Sequence, residues 1–159
     1  MLNILVVCTG NSCRSVLGEA LLNHWGQGRV KAFSAGSHPI GRVNPDALAT
    51  LQRHGLVTEG YKSQSWHEFE QQTIDIVITV CDNAEGEVCP SYLHSTLRAH
   101  WGVNDPSHVQ GSESELLSAF EETYGILENR VQKMLALPLE SMPEPELNRA
   151  LDSLGAQLC

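Results

Sequence analysis

Apolar positions along this chain follow two periods, and the two alternate. Leu2–Val7 is a near-continuous apolar run, the pattern of a short strand buried on both faces. From about Arg14 to Trp25 the spacing becomes helical, with Leu17, Ala20, Leu21 and His24 along one face. A second strand is expected around Lys31–Ser34, with Gly36 turning the chain out of it. The next helix announces both its ends: Asn44 stands as N-cap, Pro45 takes the first helical position, Leu48 and Leu51 face inward, and Gly55 stops it. Ile74–Val80 is a β-branched, unbroken third strand, and Leu97–Trp101 is a weaker fourth. Ser112 and Glu115 then have the spacing of a capping box. Leu116, Phe120, Leu127, Val131 and Met134 stripe the long helix that follows, until Pro138 ends it.

Strands alternating with helices predict an α/β fold, a parallel sheet joined by right-handed crossovers. With four strands, the flavodoxin-like three-layer arrangement in the order 2-1-3-4 is expected. In that order strands one and three are neighbours at the topological switch point, where ligands bind beyond the carboxyl ends of the strands. Cys8 ends the first strand and Cys81 follows the third, so these distant cysteines are expected to be close in space. The chain divides at about residue 139. Residues 1–139 form the α/β domain, and 140–159 are a C-terminal extension broken by Pro143 and Pro145. In that extension Leu147, Ala150, Leu151, Leu154 and Leu158 make a second amphipathic stripe. A helix packed on its own domain is expected there in preference to a dimer contact, and with it a monomer.

Composition narrows the partners. A chain of 159 residues, 42% apolar and 18% charged, is one domain with a real core. Its net charge of −9 argues against nucleic acid, whose phosphates demand lysine and arginine. It also means that an anionic substrate must be captured locally by a few oriented donors. No apolar run approaches the roughly 18 residues of a membrane span. The N-terminal run lacks the basic flank of a signal peptide, so no membrane association and a cytoplasmic location are expected. Five cysteines, Cys8, Cys13, Cys81, Cys89 and Cys159, are an odd number for a disulfide framework and read better as thiols.

The chemistry concentrates in Cys8-Thr9-Gly10-Asn11-Ser12-Cys13-Arg14-Ser15, which lies between the first strand and the first helix. A loop of small residues entering a helix turns backbone N–H groups toward the helix's positive end. Arg14 can grip two oxygens of a tetrahedral anion at once. Thr9, Gly10, Asn11, Ser12, Cys13 and Arg14 are therefore the expected oxyanion cradle. Cys8, in that positive field, is expected to ionise readily, with a pKa of ~3.5–7.5, and to attack the central atom of the bound anion.

This segment, with Asp105-Pro106 downstream, resembles the low-molecular-weight protein tyrosine phosphatase superfamily. More narrowly, the chain resembles the thioredoxin-coupled arsenate reductases, through Cys13 within the loop, the pair Cys81 and Cys89, and His100-Trp101-Gly102-Val103-Asn104-Asp105-Pro106. The resemblance covers about residues 1–137. It implies Cys8 as nucleophile, Arg14 as clamp, Ser15 as a hydroxyl stabilising the Cys8 thiolate, and Asp105 as general acid. It also implies a redox relay through Cys81 and Cys89, no tightly bound cofactor, arsenate as substrate with phosphate and sulfate as competitors, and thioredoxin as the external reductant. Glutathione with glutaredoxin is the alternative donor. Two positions depart from the resemblance. The pair Cys81 and Cys89 is spaced one residue wider than in the reductases, across a polar segment containing Gly86. In the potassium site of some relatives, Asn11 and Glu19 match, but Ser65 stands where an aspartate is expected.

Two rival readings weigh less. A phosphotyrosine phosphatase usually carries an aromatic after Asp-Pro, and this chain has Ser107. A zinc module built from Cys81, Cys89, His94 and His100 lacks the usual close ligand pairs. His24, His38, His54, His67 and His108 are scattered without ligand spacing. Cys13 reads as a buried support of the loop, and Cys159 as inert.

Overall fold

A computed structural model describes residues 1–81, 90–94 and 96–156. Four strands, β1 (Leu2–Cys8), β2 (Val30–Gly36), β3 (Ile76–Thr79) and β4 (Leu97–His100), form one parallel sheet in the order β2-β1-β3-β4. Four helices accompany them: α1 (Arg14–Trp25), α2 (Pro45–Arg53), α3 (Glu113–Leu135) and α4 (Glu144–Ala156). The architecture and strand order are those expected. β1 is central, paired with both β2 and β3, and its residues Ile4–Val7 are at most 1% exposed. A strand covered on both faces has no polar side to show, which is why the sequence pattern is continuous and not alternating.

Several boundaries differ from the expectation. β2 runs from Val30 to Gly36, longer than the predicted Lys31–Ser34, because its whole length pairs with β1 from Leu2 to Cys8. β3 is only Ile76–Thr79, although the Asp75 amide still donates to Asn3 O (2.8 Å) and the Val80 amide to Val7 O (3.0 Å). His24, expected on the buried face of α1, is exposed; Val16, Gly18 and Leu22 are buried instead. This helix is covered by the sheet on one side and by α3 on another, so its buried surface is wider than one stripe.

At the start of α3, the Ser112 hydroxyl oxygen accepts from the Glu115 amide (3.3 Å), but the reciprocal arm to the Ser112 amide does not form among the described residues. The complete capping box is at Ser65 and Glu68, where it opens a single helical turn over Trp66–Phe69. In α2, Asn44 accepts from the Asp46 amide (2.8 Å), and Gly55 stops the chain with a φ of 75°, as its sequence signals require. The C-terminal α4 buries Leu147, Leu151 and Leu154 against β4 and α3, the packing expected of this segment. Leu158 and Cys159 lie outside the described residues. Among the described residues no helix is long and apolar enough to cross a membrane.

Candidate functional site

The loop between β1 and α1 hangs from its carbonyls. Thr9 O accepts from the His38 amide (2.9 Å), Gly10 O from the Ile40 amide (3.1 Å) and the Ser63 hydroxyl (3.0 Å), and Ser12 O from the Asn44 amide (2.9 Å). A trans peptide is planar, so each carbonyl held outward turns the following N–H the opposite way. The amides of Gly10, Asn11 and Cys13 are thereby directed toward the loop's interior, above the start of α1. Asn11 makes the bend with a φ of 47°, the only non-glycine positive φ among the described residues. Gly36 lets the loop pass β2: a Cβ there would lie 2.5 Å from Thr9 O and 3.0 Å from Asn11 Cβ.

The loop's floor is a buried polar network. Asn11 Nδ2 donates to Ser15 Oγ (2.8 Å) and Ser34 Oγ (3.0 Å), and its Oδ1 accepts from the Gln64 amide (2.8 Å). The Ser34 hydroxyl in turn donates to Glu19 Oε1 (2.6 Å). Burial pushes the Glu19 carboxyl up to about 7, although Ser34 pulls it down. Ser15 makes no hydrogen bond to Cys8 among the described residues. Ser65 Oγ accepts from the His67 amide (3.1 Å), and Asn11 and Glu19 are bonded as above. Among the described residues, no group of three or more histidine, cysteine or acidic side chains is placed to hold a metal.

Three buried thiols surround the loop. Cys8 is 4%, Cys13 5% and Cys81 3% exposed. Pairing of β1 with β3 brings Cys81 beside Cys8, as strand order implied. Cys81 Sγ also accepts from the Thr9 amide (3.3 Å). That Cys81 contact first, and burial second, push the Cys8 thiol up from its ordinary value, while the Arg14 charge pulls it down without prevailing. The direction is opposite to the lowering expected from the sequence. A second buried thiol stands beside it, and the Arg14 charge opposes the rise without cancelling it.

Arg14 Nη1 donates to Val103 O (3.1 Å), and Nη2 pairs with Asp105 Oδ2 (3.4 Å). Its Nε is buried with no partner among the described residues. Asp105 thus overhangs the loop from the far side of the sheet edge. Its Oδ1 accepts from the Ser107 hydroxyl (2.6 Å), the Ser107 amide (2.9 Å) and Cys13 Sγ (3.5 Å). Burial works to raise the Asp105 carboxyl, but Ser107, Arg14 and His108 outweigh it and hold it below the usual carboxylate range. Cys13, the N-cap residue of α1, is pushed up to about 12 by burial and then by Asp105.

Cys8, Cys13, Arg14, Cys81 and Asp105 are thus brought together. Cys89 and the 82–88 segment lie outside the described residues. Sequence reasoning missed Thr9 as a partner of Cys81, Ser107 as the residue that fixes Asp105, and the Val103 carbonyl that receives Arg14. Only Ser107 carried a local signal, since a residue two positions after an aspartate is placed to close an Asx turn. The assembled group can hold a tetrahedral oxyanion on inward amides and Arg14, offer it a thiol, and set a second thiol and a carboxylate beside the first.

The family model for low molecular weight phosphotyrosine protein phosphatases matches residues 3–148. The arsenate reductase of Bacillus subtilis is 31% identical over 130 residues, covering 82% of this chain and 92% of the relative. A solved arsenate reductase in its reduced state superposes with a TM-score of 0.70 at 27% identity, covering 86% of this chain and 98% of the other. The tyrosine phosphatase AmsI of Erwinia amylovora superposes with a TM-score of 0.67 at 30% identity, covering 87% and 95%.

Proposed function

The chain belongs to the low molecular weight phosphotyrosine protein phosphatase family, and from that premise we propose that it reduces arsenate to arsenite through a relay of cysteine thiols re-reduced by thioredoxin. The observation that carries this reading is the Cys8–Cys81 contact. A hydrolase needs one nucleophile and water, whereas a reductase needs a second thiol within reach of the first.

Arsenate is held by the loop amides and by Arg14, whose Nε and Nη groups supply the bidentate grip. When Arg14 turns to the anion, Asp105 loses one of the charges that lower it. Cys8 sulfur attacks arsenic, and an As–O bond breaks. The thiol's proton passes through the Asp105 carboxylate to the departing oxygen, which leaves as water. Cys81 then attacks Cys8 sulfur. The electron pair of the S–As bond stays on arsenic, which leaves as arsenite, and a Cys8–Cys81 disulfide forms. Cys89 attacks Cys81, releasing the Cys8 thiolate and moving the disulfide to Cys81–Cys89, which a thioredoxin dithiol reduces. Ser15 supplies a hydroxyl to the thiolate form of Cys8. The relay needs no bound cofactor and suits a reducing compartment such as the cytoplasm.

The test is NADPH consumption driven by arsenate in the presence of thioredoxin and its reductase, run beside glutathione and glutaredoxin. Turnover with thioredoxin alone supports the proposal. Turnover only with glutaredoxin moves the donor, and no turnover with either removes the reductase reading. The second reading, aryl phosphate hydrolysis, draws support from the shared cradle and the likeness to AmsI. Against it, Ser107 is turned back onto Asp105, where an aromatic would flank a substrate ring.

A further inference from the structure

Arg130 lies in the C-terminal half of α3, only 6% exposed, and its guanidinium gathers carbonyls from two separate segments. Nη1 donates to Trp101 O (2.9 Å) and Gly102 O (3.2 Å), and Nη2 to Gly155 O (3.2 Å). Gly155 O lies in the last described turn of α4. The same helix receives Trp101 Nε1 at Leu151 O (2.9 Å). It approaches β4 so closely that a Cβ on Gly155 would lie 1.8 Å from His100 O.

These bonds bear on the segment that carries Asp105. Trp101 N donates to Thr79 O (2.7 Å) and Val103 N to Val80 O (3.1 Å), so the segment is pinned to β3 beside Cys81. Val103 O is in turn the acceptor for Arg14. Trp101 and Gly102 are therefore gripped from the α3–α4 side, and Val103 from the oxyanion loop. Asp105 follows two residues later, reaching Arg14 at 3.4 Å and Cys13 at 3.5 Å. A proton donor works only over a narrow range of placement, of about 0.5 Å.

We propose that Arg130 is a positioning residue for Asp105: it ties the Trp101–Gly102 backbone to the last turn of α4 and so sets where the Asp105 carboxylate stands over the oxyanion loop. This rests on Asp105 acting as the proton donor of the proposed reaction. It gives the C-terminal helix a part in the chemistry although none of its residues touches the site. Lysine cannot replace the arginine, because a single ammonium cannot span carbonyls on two segments in a fixed fork.

The variants are Arg130→Lys, Arg130→Met and Trp101→Phe. Arg29→Met is the control, since Arg29 likewise gathers the Leu135 and Leu137 carbonyls with Glu140 but contacts nothing in the site. Two readouts separate positioning from general loss of stability. The first is hydrolysis of p-nitrophenyl phosphate against phenyl phosphate, which reads Asp105 whether or not arsenate is reduced. Misplacing a proton donor slows the poorer leaving group more, so the rate ratio should rise at least about threefold, with kcat falling about tenfold and KM nearly unchanged. The second is amide hydrogen exchange, which should quicken across 101–106 in Arg130→Lys and Trp101→Phe but not in Arg29→Met. If Arg130→Met does not fold, the two milder variants decide. Exchange across 101–106 that is unchanged, or a rate ratio that does not move when kcat falls, overturns the proposal. Loss of arsenate turnover in the wild type with the leaving-group effect intact would remove the reductase reading and leave this one standing.

Discussion

The backbone amide of Thr9 donates to Cys81 Sγ at 3.3 Å. That bond crosses from the β1–α1 loop to the end of β3 and holds the Cys81 thiol beside Cys8.

Cys81→Ser separates the two chemistries that this fold can support. Arsenate turnover should fall to background, because no thiol remains to expel arsenite from Cys8. Slow hydrolysis of an aryl phosphate should persist. Steady-state assays of both substrates on one preparation check this. A parallel loss of both activities would mean that Cys81 serves only the packing of the loop.

The elevated Cys8 thiol has a removable cause. Its Cys81 contact acts most strongly, so Cys81→Ala should shift the pH profile of Cys8 alkylation by iodoacetamide toward lower pH. Reactivity at neutral pH should rise accordingly. Phosphate or sulfate should protect Cys8, and protection should weaken sharply in Arg14→Lys, which lacks the bidentate fork. An alkylation profile that is the same with and without Cys81 would leave burial as the governing cause.

Asp105→Asn should lower kcat by about 10²–10³-fold with little change in arsenate affinity. The carboxyl is held below its ordinary value in the folded protein. Its contribution to stability is therefore present above the unfolded carboxylate value and is lost as pH falls through the folded one. Chemical denaturation followed across the acid range should show a smaller acid loss in the asparagine variant than in the wild type.

Glu19 has the opposite sign. Its folded value of about 7 lies above the ordinary carboxylate value, so the folded state holds a proton that the unfolded state releases. Stability should fall as pH rises from about 4.5 to about 7, by on the order of 1–3 kcal/mol. Glu19→Gln should flatten that slope in urea denaturation. If the slope survives the substitution, it comes from another group.

Cys89→Ser tests the outer half of the relay. A single addition of arsenate should give one turnover and leave a Cys8–Cys81 disulfide, identified by peptide mapping. Repeated turnover with thioredoxin, or a mixed disulfide of Cys8 with glutathione, would take Cys89 out of the mechanism.

Much of this is legible in the sequence alone. The continuous apolar run of β1, the capped α2 and the long stripe of α3 reflect local propensity and burial period, and both are written in consecutive residues. Cys8 and Arg14 could be read for the same reason, since the loop that joins them is a single stretch of chain. Strand order followed from alternation, and with it the meeting of Cys8 and Cys81. What sequence could not decide was the state of the groups once assembled. Arg14 turns to Val103 and Asp105, Cys81 raises the Cys8 thiol, Ser107 and Cys13 share one carboxylate oxygen, and Arg130 binds two segments that no local pattern links. A pKa or a hydrogen-bond partner depends on every charge and dipole within a few ångströms. Here those neighbours come from β3, the segment after β4, and α3, which only the folded chain brings together.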